Sequence, residues 1–201
     1  MSTTAPSTHR IEPFFLQGKA GHLFGLHYAP LDAPRAAVLA IAPFGEEMNR
    51  CRSLISQQGR AFAEHGISCL ILDLFGTGDS AGTLEEASWE TWIDDLLRGA
   101  DWLKQQTGRE AVLWGFRFGA LLAAELTSHY PERFDRLLLW APVPKGKQFI
   151  TQTLRLRVAA LIDRKQPPEK TQQMRDTLAQ GGSIEVSGYL LPGQLSQSID
   201  C

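Results

Sequence analysis

"AVLWGFRFGALLAAEL", residues 111–126, decides the fold. It opens with the continuous apolar run of a strand buried on both faces, passes through a glycine-framed turn, and closes as a helix-forming stretch rich in alanine and leucine. A strand that becomes a helix between two glycines is the nucleophile-elbow pattern G-x-S-x-G. Small flanking residues let the chain double back, the central side chain projects from the turn, and the next backbone N–H faces an oxyanion. Here the pentapeptide is Gly115, Phe116, Arg117, Phe118, Gly119, with arginine at the nucleophile's place. A guanidinium stays protonated and cannot attack a carbonyl, so no acyl-enzyme forms at this position.

Outward from this turn the alternation of strand and helix repeats. "AAVLAIAP" (36–43) and "ISCLILDL" (67–74) are buried-strand runs, with a helix expected over 52–65 between them. "FGTGDSAGT" (75–83) is a loop, and "SWETWIDDLLRGADWLKQQ" (88–106) a long amphipathic helix with Trp89, Trp92, Leu96 and Trp102 near one face. After the elbow helix, which is expected to run through Tyr130, "FDRLLLWAPV" (134–143) reads as a further buried strand. Upstream, after about ten residues expected to be disordered, "EPFFLQG" (12–18) and "GHLFGLHYAP" (21–30) form an antiparallel opening hairpin. The pattern predicts an α/β three-layer sandwich, a mostly parallel sheet with helices on both faces, whose ligands gather at the carboxyl ends of the strands. The length fits a single domain over 1–201, with the basic, glutamine-rich segment 145–180 as a helical cap over that edge and "GGSIEVSGYLLPG" (181–193) as a short strand or hairpin.

Composition narrows the function classes. Apolar content of 43% and charged content of 21% are those of a soluble globular chain, and a net charge of -2 argues against nucleic acid and anionic membrane as partners. The three cysteines, Cys51, Cys69 and Cys201, are odd in number and lack C-x-x-C spacing, against a disulfide framework and against a metal site. No cofactor is implied. The polar amino terminus and the lack of any run of about 18 apolar residues give the expectation of a cytoplasmic protein without a membrane span.

A second match to the bare elbow pattern is Gly78, Asp79, Ser80, Ala81, Gly82. Loop residues separate it from its strand, and acidic "TLEEAS" follows where a helix should begin, so a turn with Asp79 and Ser80 bonded to backbone amides is preferred to a nucleophile. The histidines decide more. In the serine–acid–histidine order of such enzymes the base comes late in the chain, yet after Gly119 there is only His129, at the end of the elbow helix, where it is expected to meet the last carbonyls. His22 and His27 belong to the opening hairpin and His65 to a helix stop at Gly66.

Residues 42–82, "APFGEEMNRCRSLISQQGRAFAEHGISCLILDLFGTGDSAG", the tryptophan-rich helix and "GFRFGALLAAEL" together resemble the α/β-hydrolase family associated with the exosortase A system, second type. The resemblance covers nearly the whole chain. It implies an arginine at the elbow, a Gram-negative bacterial setting of exosortase sorting and exopolysaccharide genes, and a sheet that would continue for two strands carrying the acid and the histidine. The sheet of this chain is expected to lack those last strands and to leave an exposed edge that a second copy could cover as a homodimer. "Hydrolase" here is a statement of fold.

Arg117 offers a planar fork of donors suited to a carboxylate or phosphate. In related folds the turn after "AAVLAIAP", here Phe44, Gly45, Glu46 and Glu47, lies close to the elbow, which implies Glu46 or Glu47 as a partner of Arg117; such a pair either braces the two loops or, with Phe44, Gly45 and Phe118, forms the candidate binding site. Lys145 and Lys147 fall on the same edge and read as solvated surface. Two functions follow: binding of an acidic or acylated small molecule without serine-nucleophile catalysis, or an esterase or thioesterase using Ser80, a cysteine, or water activated by Glu46, Glu47 or Asp79.

Overall fold

The computed structural model describes residues 8–167 and 169–200, so Cys201 and the first seven residues of the expected disordered leader lie outside the described residues. Strands β1 (His9–Gln17), β2 (His22–Pro30), β3 (Ala36–Ile41), β4 (Ile67–Leu72), β5 (Ala111–Phe116) and β6 (Leu137–Trp140) form one sheet in the order β1-β2-β4-β3-β5-β6. β1 and β2 are the antiparallel hairpin, β2 pairs antiparallel with β4, and β4, β3, β5 and β6 run parallel. The hairpin starts at His9, so residues 9 and 10 are strand, against the expectation that disorder reaches that far.

Side-chain alternation along the central strands builds two cores. Leu39 and Ile41 of β3 and Leu113 of β5 point to one face, where they join Leu96 of α2 (Trp89–Thr107) and Leu122 and Leu126 of α3 (Gly119–His129). Val38 and Ala40 of β3 and Trp114 of β5 point to the other, against Ile55 and Ala63 of α1 (Glu46–Glu64). Both faces of β3 and β5 are therefore covered, which is why their sequences are apolar without interruption.

Three elements differ from the sequence reading. α1 begins at Glu46, not at residue 52: Gly45 caps it at φ +61°, and Glu46 and Glu47 sit in its first turn, where carboxylates complement the helix dipole. β6 keeps only four residues, leaves Leu137 and Leu139 each 38% exposed, and is the sheet's edge among the described residues, so it is not the buried strand expected. Residues 193–200 form a helix, α6 (Gly193–Asp200), that the periodicity did not suggest. The segment after β6 supplies α4 (Gly146–Asp163) and α5 (Thr171–Ala179), then a hairpin of β7 (Ser183–Val186) and β8 (Tyr189–Pro192). Its two-residue turn, Ser187-Gly188, has both φ angles positive, as a type I′ turn requires.

The elbow is held by close backbone approach. A methyl group on Gly119 would lie 2.1 Å from the Ile41 carbonyl oxygen, and one on Gly115 would lie 2.7 Å from the Ala120 Cα. Gly108, the left-handed cap of α2, has nothing within 4 Å of that position. Gly119→Ala is therefore expected to destabilise the fold by about 3 kcal/mol or more, because β3 and α3 must separate. Gly108→Ala carries only the left-handed backbone cost of about 1–2 kcal/mol. Urea unfolding of the two variants measures both, and equal losses would refute the packing argument.

Candidate functional site

Arg117 follows β5 directly and adopts φ +53°, the left-handed conformation in which an elbow projects its central side chain. That conformation costs a non-glycine residue on the order of 1–2 kcal/mol. It is braced from β6: the Arg117 N–H donates to the Trp140 carbonyl (3.0 Å), and the Arg117 carbonyl accepts from Ala120 N–H (3.2 Å) and Val143 N–H (3.4 Å).

The guanidinium meets Glu47 across 70 residues of sequence. Nη2 donates to Oε1 at 3.0 Å, and Nε lies 3.3 Å from both carboxylate oxygens, while Gln152 of α4 accepts from Nη2 at 3.5 Å. Both side chains of the pair are about one third exposed. Nη1 donates to no protein acceptor among the described residues, which leaves one edge of the fork open to a ligand.

A cavity of about 160 Å³ lies over this pair. Arg117, Glu47, Gly45 and Glu46 line its polar end; Phe44, Phe149, Leu156, Val186, Tyr189 and Leu191 line the rest. The sequence-derived candidates Phe44, Gly45, Glu46, Glu47 and Arg117 thus meet at one cavity. Phe118 does not line it: the ring is 2% exposed and packs on Phe44, Trp89, Trp92 and Phe149, because the residue after the elbow turns back into the core. Residues of α4 and of the second hairpin complete the cavity, including Phe149, Gln152 and Tyr189, which the sequence reading did not single out. Asn49 of α1 donates to the Tyr189 hydroxyl and ties that hairpin over the start of the helix. No local signal marks these residues, since only tertiary packing brings residues 149–191 over the elbow.

The second elbow-like pentapeptide is a structural turn. Ser80 Oγ donates to the Asp73 carbonyl (2.5 Å) and accepts from Phe24 N–H (2.8 Å), and Asp79 is exposed with its N–H donating to Asp73 Oδ2 (3.0 Å). A hydroxyl so committed joins the loop to β2. The two described cysteines are both held toward the thiol form. Burial pushes the Cys51 thiol above its usual range, with Glu47 adding to the rise and Arg117 opposing it; Cys69 is fully buried, which pushes its thiol up further.

His129 Nδ1 lies 3.1 Å from the Glu125 carbonyl and His65 Nδ1 2.8 Å from that of Ala61, both at helix ends. His27 is the unexpected one. Its Nε2 is 2.6 Å from Ser68 Oγ and its Nδ1 3.0 Å from Glu12 Oε2, a serine–histidine–acid chain in the wrong place. Ser68 is 1% exposed and His27 5%, and the ring stands edge-on to Trp102, so no substrate reaches the hydroxyl. Burial holds the imidazole below its usual pKa despite Glu12. Lys145 and Lys147 are exposed and line a shallow depression along α4, outside the cavity. Among the described residues no group of three His, Cys, Asp or Glu side chains could hold a metal ion, and no helix is long and apolar enough to cross a membrane.

A mostly parallel sheet covered on both faces, with an elbow turn between its fifth strand and the next helix, defines an α/β-hydrolase fold. Residues 32–180 match the family described as serine aminopeptidase, S33, and the chain belongs to that α/β-hydrolase family. Among solved structures the chain is similar to a protein from Agrobacterium vitis S4 assigned to the hydrolases, at 20% identity and a TM-score of 0.63, covering 94% of this chain and 70% of that one. It is similar to Est1E from Butyrivibrio proteoclasticus with ferulic acid bound, at 15% identity and a TM-score of 0.65, covering 93% and 70%. It is also similar to an α/β serine hydrolase without lid from Xanthomonas campestris, at 22% identity and a TM-score of 0.54, covering 66% and 62%. At these identities the likeness is one of fold. The chain spans 62–70% of the length of these three structures. No curated protein sequence matches it.

One buried carboxyl governs the loop that follows β4. Asp95 of α2 is fully buried, accepts from Phe75 N–H (2.9 Å) through Oδ2, and leaves Oδ1 without a partner. Burial pushes this carboxyl up to about 6 from 3.8. Because the folded chain holds the proton to higher pH than the unfolded chain, the stabilisation is full below the unfolded value and is lost as pH rises through about 6. Asp95→Asn keeps the acceptor and cannot ionise. It is expected to be more stable than the parent by on the order of 2 kcal/mol above about pH 7, the gap closing below about pH 4. Urea unfolding at both pH values checks this, and a gap independent of pH would refute it.

Proposed function

We propose that this α/β-hydrolase family member binds a small molecule bearing a carboxylate or phosphate, or an acylated one, without serine-nucleophile catalysis. The observation that carries this reading is Arg117 itself, held in the elbow conformation at the polar end of the cavity with Nη1 unengaged. The ligand's anion takes that open edge, and Glu47 keeps the fork aimed. The apolar walls receive its hydrocarbon part, and a volume of about 160 Å³ suits a group the size of one aromatic ring. Segment 145–180 serves as the cap of a single domain over 1–201, and its α4 provides Gln152 and Leu156 to the cavity.

The setting belongs to the same proposal: a cytoplasmic protein of a bacterial exosortase and exopolysaccharide system, paired as a homodimer. The residues quoted for the family resemblance support the setting, and the β6 edge supports the pairing. The alternative, an esterase or thioesterase with another nucleophile, has less support because Ser80 is committed to backbone and Cys51 and Cys69 are held as thiols.

Calorimetric titration with benzoate and phenyl phosphate tests binding. Arg117→Gln is expected to weaken whichever probe binds by ten- to a hundredfold, the scale of a charged hydrogen bond of about 1.5–3 kcal/mol. Failure of both probes to bind, or indifference to the substitution, would overturn the reading. Fluorophosphonate is expected to leave the intact mass unchanged, and Arg117→Ser to gain no turnover of p-nitrophenyl acetate, since no histidine lines the cavity among the described residues. A stoichiometric adduct or clear turnover would restore the enzyme reading.

A further inference from the structure

The formal charge of -2 hides a strong separation of charge along the chain. Segment 145–180 holds eight Lys and Arg against three Asp and Glu, a net +5, so the remainder carries −7. Within the segment, Arg157 is spent on Glu169 and Arg175 on Asp200. Lys145, Lys147, Arg155, Arg164 and Lys165, on α4 and its two ends, are all exposed and form no ion pair among the described residues. Asp163 is the one carboxylate on α4.

The outer face of this helix also carries bulk apolar side chains. Ile162 is 65% exposed and Leu156 51%; Ile162 falls on the stripe of α4 that includes Arg155, and Leu156 on the flank of the same outward half. Leu156 stands at the cavity wall beside Gln152, so the basic, apolar face adjoins the entrance to the Arg117 site. A single exposed aliphatic residue is ordinary. Two of them on the outward half of one helix, interleaved with Lys145, Lys147, Arg155 and Lys165 while Arg164 turns to the opposite side beside Glu46 and Glu185, match an interface that is anionic at its surface and apolar just beneath it.

We infer that α4 is a docking face for an anionic lipid bilayer, with its unpaired Lys and Arg at the headgroups and Leu156 and Ile162 entering the acyl boundary. Each cation near such a surface contributes about 1 kcal/mol, so these four suffice for reversible peripheral attachment. Nucleic acid would use the same charges but has no use for Ile162 and Leu156, and α4 exposes no aromatic ring for base stacking. Attachment in this orientation would turn the site's mouth toward the bilayer, independently of which ligand Arg117 holds.

The test is co-sedimentation of the full chain with phosphatidylcholine vesicles, with and without phosphatidylglycerol. The chain is expected to sediment with the anionic vesicles only and to be released by high salt. Arg155→Glu with Lys165→Glu should weaken binding at least about thirtyfold, and Arg155→Gln with Lys165→Gln by a smaller factor. Ile162→Ser should weaken it several-fold, with circular dichroism confirming that each variant is folded. Absence of sedimentation with anionic vesicles, equal sedimentation with neutral ones, or charge variants that behave as the parent would each overturn the inference. Retention on a DNA duplex without vesicle binding would overturn it in favour of a nucleic-acid face.

Discussion

The first turn of α3 lies so close to the end of β3 that a single methyl group on Gly119 would strike the Ile41 carbonyl, and the site depends on that approach. With the helix start pressed onto the sheet, the residue between strand and helix can only take the left-handed conformation and aim its side chain outward. The same approach sets the turn after β3, and with it the first turn of α1, alongside the elbow. Glu47 therefore meets Arg117 by way of two strand-to-helix turns that sit on neighbouring parallel strands.

Replacing a nucleophile by arginine changes what this geometry can do. An elbow stores backbone strain to present one side chain, and a fork of fixed donors exploits that placement as well as a hydroxyl would. The exposed guanidinium is balanced by one carboxylate rather than left alone, which spares the desolvation cost of an unpaired charge. Phe118 and Phe44 meanwhile form part of a continuous aromatic core with Trp89, Trp92 and Phe149, so the floor of the cavity is rigid while its rim is polar. Preorganised donors above a packed floor favour recognition, and no histidine lines the cavity among the described residues.

The chemistry that looks most like catalysis is the Ser68–His27–Glu12 chain, and it shows why geometry must be weighed with burial. Its distances match those of a working relay, yet Ser68 and His27 are buried beside Trp102, where the chain serves to satisfy two buried polar side chains and ends on the exposed carboxylate of Glu12. Asp95 is the opposite case, a carboxyl held in the core with one oxygen unsatisfied, bound to the backbone of the loop that shapes one side of the fold.

The sequence alone determined the order of strands and helices as far as β6 and the elbow between Gly115 and Gly119 with arginine at its centre, because these follow from local apolar periodicity and from which residues tolerate a tight turn. Likeness to related folds pointed to the turn carrying Glu46 and Glu47 as a source of a partner for Arg117. It could not separate Glu46 from Glu47: Glu47 takes Arg117 while Glu46 pairs with Arg50, a choice made by the rotation of α1 once Gly45 starts it six residues earlier than periodicity suggested. Phe118, Gln152 and Tyr189 were likewise decided only in three dimensions. The direction of a ring after the elbow, and the packing of residues 149–191 over it, depend on contacts between segments far apart in the chain, which local pattern does not encode.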